Sequence, residues 1–511
     1  MHNHSHFTLH TKAFICISYL FAVIFCSCKN NHSTPKTDIY YTEQHRPQYH
    51  FSPDSMWMND PNGLVWYNGD YHLFYQYFPD STVWGPMHWG HATSQNLLHW
   101  EHQPIALYPD SLGLIFSGSA VIDKANTAGF GKDAMVAIFT HHLMAGEKAG
   151  KSDFQYQSIA YSNDQGRTFT KYDKNPVISN PGIKDFRDPK VIWHEESKSW
   201  VLVLAAYDKV IFYHSKDLKS WKKSSEFGIP NDKRLWECPD IFPLEVSNGK
   251  KSKWVLIVSI QKDAPNGGTA TSYFVGDFDG KTFKADTQQK WLDYGKDNYA
   301  LVTYSNEPNN KRIGIGWMSN WQYAQNVPTK RWRSAMTLPR ELTLWNKNNE
   351  FLLKSEPVAS IQSLVKNTKT ISHDVHKAMA IKPLSKIKLK IDRPTSGKSY
   401  IRLSNADNQY LDIGYDGEKH NYYIDRSMAG KSDFSKEFAS IHYGKPQGVD
   451  KIIDMTIYVD LASAELFADD GFCTMTDIFF PSSPFNQLQL VSDVAVRQLE
   501  ISDIEGVWSK K

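Results

Sequence analysis

Three acidic residues beside prolines stand out as groups able to do chemistry. They are Asp60 in Trp57-Met58-Asn59-Asp60-Pro61-Asn62-Gly63, Asp188 in Arg187-Asp188-Pro189-Lys190, and Glu237 in Trp236-Glu237-Cys238-Pro239-Asp240. Carboxyl groups break glycosidic bonds in pairs. One is ionised and attacks carbon or activates water; the other is protonated and delivers a proton to the leaving oxygen. Local sequence suggests how the roles divide. Glu237 sits among Leu235, Trp236, Cys238 and Pro239, where desolvation favours the protonated form and suits a general acid. Asp60 lies between Asn59 and Asn62, and turn amides there favour an anion, which suits a nucleophile. Asp188 follows Arg187, and a pairing between them would keep it charged as an acceptor for hydroxyl groups.

These acids need rigid elements to hold them. The stretch from Trp57 to Gly63 is turn-like in composition, since Pro lacks a donor and Asn, Asp and Gly favour turns. It feeds a hairpin, Leu64 to Tyr67 and Tyr71 to Tyr75 around Asn68-Gly69-Asp70, an Asn-Gly signal of the strong kind. From about residue 45 to 340 helical periodicity is nearly absent, and short alternating runs predominate, so the chain reads as all-β.

The runs repeat. Ser94 to Trp100, Ser162 to Phe169, Ser215 to Trp221 and Asp277 to Phe283 each follow a strand with a polar turn and close on an aromatic residue. Their spacing, roughly 50 to 70 residues, is that of a four-stranded propeller blade. A second rhyme marks the start of each unit, at Asp60-Pro61, Phe116 to Ser119, Asp188-Pro189, Glu237 to Asp240 and Asp293 to Gly295. Five such starts imply five blades. Because the first strand of every blade lines the central channel, the three acids are expected to converge at one mouth. Asp293 reads as structural or supporting.

Beyond Arg340 the texture changes. Ser355 to Lys366 is expected to form one short helix bridging two domains. Alternating strands then return from Ile387 to Leu490 with breaks such as Asp416-Gly417 and Asp469-Asp470-Gly471, as in a β-sandwich. The expected organisation is a signal peptide over residues 1–27, a linker over 28–44, a five-bladed β-propeller over 45–340, an inter-domain linker over 341–366 and a β-sandwich over 367–511.

Lys plus Arg number 57 and Asp plus Glu 55, and with no basic stripe nucleic acid is not expected as a partner. Sixteen tryptophans and 14 % aromatic residues on a near-neutral chain suit a neutral polyhydroxylated ligand instead. At the N-terminus, Lys12 precedes an apolar run from Ala13 to Phe25, too short to span a bilayer and fitting a signal-peptide core. It closes on Cys26-Ser27-Cys28, resembling a bacterial lipoprotein signal with Cys28 lipidated. That places the protein at the bacterial cell envelope, on the periplasmic face or the cell surface, held by the lipid anchor alone and otherwise monomeric. The early histidines lie upstream of the cleavage point. Cys238 and Cys473 are far apart and without C-x-x-C spacing, so neither zinc nor a disulfide framework is indicated; both read as small buried apolar residues.

The motifs, taken in order, resemble glycoside hydrolase family 32, the β-fructofuranosidases. The resemblance runs through Trp57 to Gly63, Phe74 to Tyr77, Trp84-Gly85, Phe116 to Ser119, Arg187 to Lys190 and Trp236 to Asp240. It continues through Trp317 to Trp321 and Trp332 to Leu342, then in the sandwich through Tyr423 to Ser427 and Ala464 to Gly471. It covers essentially everything after residue 45. It implies a five-bladed β-propeller with a C-terminal β-sandwich and a retaining double displacement. Asp60 would be the nucleophile, Glu237 the acid/base and Asp188 the transition-state stabiliser. Asn59, Gln76, Trp84, Phe116, Ser117, Arg187 and Trp321 would surround the terminal fructose, and neither metal nor organic cofactor is needed. The expected activity is release of terminal fructose from levan, inulin or fructo-oligosaccharides, and from sucrose. Plain invertase and a levanbiose-releasing enzyme are alternatives within the class. Outside it stand a non-catalytic fructan-binding lipoprotein and the related five-bladed arabinan and xylan hydrolases, which invert.

Overall fold

The computed structural model describes residues 41–249, 251–448 and 451–508. The expected signal peptide and Cys28 lie outside the described residues. Five antiparallel sheets follow one another along the chain as the blades of a β-propeller, and two six-stranded sheets then stack as a β-sandwich. The innermost strands of the blades are Met56–Tyr67, Leu114–Asp123, Phe186–His194, Trp236–Glu245 and Tyr299–Thr303.

The second strands of blades two and three, Ala134–His142 and Ser199–Ala206, are buried at every position. Each is covered on both faces by neighbouring blades, which is why such strands read as continuous apolar runs rather than alternating ones. The polar rhyme of the sequence is a side-chain-capped turn between third and fourth strands. Asn96, Asp217 and Asp279 each accept from two backbone N–H groups just ahead of them, and Asp164 accepts from the N–H of Thr168. The ring closes where Trp332–Arg333, late in the propeller, pairs in parallel with Met56 and Trp57 of the first blade.

Two expectations need correction. The stretch from Trp57 to Gly63 is not a free turn: it lies inside the strand Met56–Tyr67, which slips register between Met58 and Pro61 and again between Asn62 and Val65. The bulges accommodate Pro61 and spare the ladder its missing N–H. Gly63, at φ +57°, has no room for a side chain, since a Cβ there would sit 2.7 Å from the Phe74 ring. The second correction concerns the segment 341–366. Arg340–Lys347 and Glu350–Pro357 are the outer strands of blade five, so the propeller runs to Pro357. Only a six-residue 3₁₀ helix, Ala359–Leu364, within the span expected to be helical, stands before the first sandwich strand, Val365–Thr370.

The sandwich core alternates as expected: Ile387, Leu389 and Ile391 point inward from Ser385–Asp392 against Ile457, Leu466 and Ile413. Its contact with the propeller combines apolar packing, such as Met318 and Tyr323 with Phe438 and Phe480, and buried ion pairs. Arg340 donates to Asp293 at 2.8 Å and to Glu465 at 2.5 Å, all three side chains fully buried. Thr476 also donates to Asp293. Asp293 is thus part of the inter-domain junction. Beside it, His50 bridges Asp460 and Glu465, at 2.8 Å to each. A second knot joins Arg426 of the sandwich to Asp297 of the propeller at 2.6 Å.

His50 gives a pH prediction. Burial pulls its pKa down, but hydrogen bonds and charge from Asp460 and Glu465 prevail and push it up to about 9 from 6.5. A raised histidine contributes stability fully below pH ~6.5 and loses it as pH climbs through ~9, a swing of about 3 kcal/mol at 1.36 kcal/mol per unit. Thermal denaturation followed from pH 6 to 10 is expected to show that decline, and His50→Gln is expected to flatten it. An equally steep decline in the variant would remove His50 as the cause.

Candidate active site

At one end of the channel a cleft of about 580 Å³ gathers residues from all around the ring. Asp60, Asp188 and Glu237 line it, and so do Asn59, Gln76, Trp84 and Phe116. Ser117, Arg187 and Trp321 complete the set of ten cleft residues named from the sequence.

The acids arrive there because the innermost strands are bulged at this end. Register shifts lie between Met58 and Pro61, Ile115 and Gly118, and Glu237 and Asp240, and between Tyr299 and Val302 in blade five. In blade three the shift falls on the segment from Arg187 to Lys190. Asp188 and Cys238 adopt left-handed backbone, at φ +64° and +45°. Such conformations are costly for residues with a Cβ and concentrate at functional sites.

Asp60 and Asp188 meet around Cys238. Its backbone N–H donates to Asp188 Oδ2 at 3.0 Å, and its thiol lies 3.6 Å from that oxygen and 3.5 Å from Asp60 Oδ2. Ser117 Oγ donates to the same Asp60 oxygen at 2.8 Å, whereas Asp60 Oδ1 is buried without a partner. Burial and then the charge of Glu237 raise the Asp60 pKa, against donors from Ser117, Asn59 and Cys238. Asp188 is pushed up to about 7, chiefly by burial; Arg187 opposes, and Glu237 and Asp60 add to the rise.

The partners of these acids differ from what local sequence suggests. The guanidinium of Arg187 binds Glu237 at 2.8 Å and Asp185 at 2.6 Å, not the adjacent Asp188. Successive side chains of a strand point to opposite faces, so chain neighbours are poorly placed to pair. Asp188 is therefore not held low in pKa: the charge of Arg187 acts on it without a hydrogen bond and does not outweigh burial. Glu237 is gripped by polar groups rather than left in an apolar pocket: Arg187 donates to Oε1, and the Tyr299 hydroxyl donates to Oε2. Asp60, expected as an easily formed anion, is made harder to ionise by its burial.

Tyr299, Cys238, Asp185 and Gln155 are site residues that sequence reasoning missed. Gln155 accepts from the Phe186 N–H and from Arg187. Tyr299 opens the fifth blade, and the register of blade starts was the available signal for it. Cys238 is buried as expected, but it is a contact between two carboxyl groups rather than filler.

Three carboxyl groups around one cleft, with a cation and two hydroxyls bound to them and indole rings at the wall, define a glycoside hydrolase site on a five-bladed propeller. The comparisons agree. Residues 50–357 match the N-terminal domain model of the glycosyl hydrolases family 32, and residues 354–505 match the C-terminal model. The chain belongs to glycosyl hydrolase family 32. It is 44 % identical over 493 residues to a levanase of Bacillus subtilis, covering 92 % of this chain and 72 % of that one. The crystal structure of exo-inulinase from Aspergillus awamori superposes with a TM-score of 0.85 at 37 % identity, covering 92 % of this chain and 100 % of that one. A fructofuranosidase from Schwanniomyces occidentalis, complexed with fructose, has a TM-score of 0.83 at 32 % identity, covering 92 % and 100 %.

Proposed function

We propose that this protein is an exo-acting, retaining β-fructosidase that releases terminal fructose from fructans and from sucrose. The observation that carries the reading is the placement of Asp60, Asp188 and Glu237 in one cleft. The Asp60 carboxylate attacks the anomeric carbon of the terminal fructosyl unit. The bond from that carbon to the leaving oxygen breaks, and Glu237 transfers its proton to that oxygen. Water then attacks the same carbon of the fructosyl ester and gives a proton back to Glu237, and Asp60 leaves as the carboxylate. Two displacements give net retention, which asks for nucleophile and acid/base about 5–5.5 Å apart.

Asp188 accepts hydroxyls of the bound sugar, and positive charge on the ring draws it to its ionised form. Asn59, Gln76, Arg187 and Ser117 supply polar contacts, while Trp84, Phe116 and Trp321 close the wall. The names of the relatives, levanase, exo-inulinase and fructofuranosidase, support fructose polymers and oligomers as substrates. The N-terminal pattern ending in Cys28 supports a secreted protein anchored by lipid at the bacterial envelope, working as a monomer on external fructan.

The test is one product profile on sucrose, inulin and levan. Free fructose is expected as the first product, with β configuration before mutarotation. Disaccharide as the first product would replace the exo-fructosidase reading with a levanbiose-releasing one. An inverted anomer would remove the double displacement.

A further inference from the structure

The innermost strands that start at the catalytic cleft end around a second hollow. From Asp60 to Trp66 the strand covers about 20 Å at ~3.3 Å per residue, so the two lie at opposite ends of the channel. Two adjoining cavities there, of about 1030 and 870 Å³, share Asn306, Arg312, Pro243 and Ser252 in their walls. Behind their walls three polar atoms are left without protein partners. Tyr304 is 0 % exposed and its hydroxyl has no hydrogen bond; Ser305 Oγ and Arg312 Nε are buried and equally unpartnered.

Arg312 takes part in no ion pair among the described residues. It lies over the Phe242 ring, and its Nη1 reaches only Thr303 Oγ1 at 3.5 Å and the Tyr304 carbonyl at 3.3 Å. Buried guanidinium groups are ordinarily satisfied in a folded protein, so the half-buried Arg312, which lines both cavities, is the group that a ligand's hydroxyls can engage. The walls also carry flat apolar faces. Trp66 and Trp254 are half-buried, and Trp193 is 39 % exposed at the rim, its indole N–H donating to Glu195. Glu245, Glu307, Glu341 and Asp133 line the same space together with Lys124, Lys311 and Arg312, a mixed wall that favours neither a free anion nor a free cation.

We propose that this far end of the channel is a non-catalytic binding site for a neutral oligosaccharide, its rings lying against the indoles and its hydroxyls meeting Arg312 and Glu245. That the sugar is a segment of fructan rests on the fructosidase reading. A polymer held there has its free end at high local concentration near the cleft, whereas sucrose is too short to gain from it.

The test uses the full chain carrying Asp60→Asn to stop turnover, titrated by calorimetry with inulin-type and levan-type tetrasaccharides. Two binding events are expected for at least one of them, and Trp193→Ala on that background is expected to abolish one. In the active chain, Trp193→Ala is expected to raise KM for the polymer about three- to tenfold. Its kcat/KM on sucrose stays unchanged, which also reports that the variant is folded. A single binding event with both sugars overturns the proposal. So does a Trp193→Ala chain with unaltered binding and unaltered polymer KM. Failure of the fructosidase reading shows separately, as absence of fructose release by the unmodified chain.

Discussion

Asp60→Asn is expected to lower fructose release from sucrose and from fructan by about 10⁴-fold or more, the scale seen when a hydrolase loses an attacking or activating group. That is about 5.5 kcal/mol of lost transition-state stabilisation at 1.36 kcal/mol per decade. The amide keeps the shape of the carboxyl group and can still accept from Ser117, so loss of fold is not the cause. Stability should move the other way. A buried carboxyl whose pKa is raised by its surroundings destabilises the folded chain when ionised, so the uncharged variant should melt at the same temperature or higher. Steady-state rates and a melting curve on the same preparation read both effects. Retention of fructose release within tenfold of the unmodified chain would remove Asp60 from the chemistry and favour a sugar-binding lipoprotein.

Arg340→Ala is expected to cost about 3–5 kcal/mol of stability, the usual penalty for breaking one side of a buried ion pair. The guanidinium answers two fully buried carboxylates, Asp293 from the propeller and Glu465 from the sandwich, and also donates to Thr476. Removing it leaves two like charges facing each other in a dry junction. Glu465 is worst placed, since burial raises its pKa while Arg340 and His50 together hold it below its usual value. Urea denaturation should show an earlier midpoint for the variant, and part of the loss should return when Asp293→Asn is added. A variant as stable as its parent would mean that water already reaches this junction and that the two domains are held by their apolar contacts.

The parts legible in the sequence were those that repeat or lie close along the chain. The polar turns at Asn96, Asp164, Asp217 and Asp279 announced four blades because each is a short-range device with its own composition. The Asn68-Gly69 hairpin was legible for the same reason, both residues having positive φ as that turn requires. The three acids stood at equivalent starts of their units and proved to share one cleft. The electrostatics were not legible. Which acid Arg187 serves depends on the face of a bulged strand, and Tyr299 reaches Glu237 across 62 residues of chain. The final strands of blade five were mistaken for a linker because Arg340–Lys347 alternates buried with half-buried positions just as a sandwich strand does, so it carried no mark of which domain it joins.

The bulged starts of the inner strands have a consequence for how such a protein changes over time. The ring provides five matching sockets, three holding acids and the others holding Ser117 and Tyr299, and each socket is set by backbone pairing inside its own blade. The rim is built separately. The short helix Met144–Lys148 and the hairpin tip carrying Tyr207, which is exposed, line the cleft from connections between strands; the Tyr207 backbone is tied to Asp185 and Trp236, while its side chain stands free at the rim. Substitutions of rim side chains can therefore reshape the mouth of the cleft while the three acids keep their backbone seats. Change at the mouth and constancy at the seats fall on different residues of the same ring.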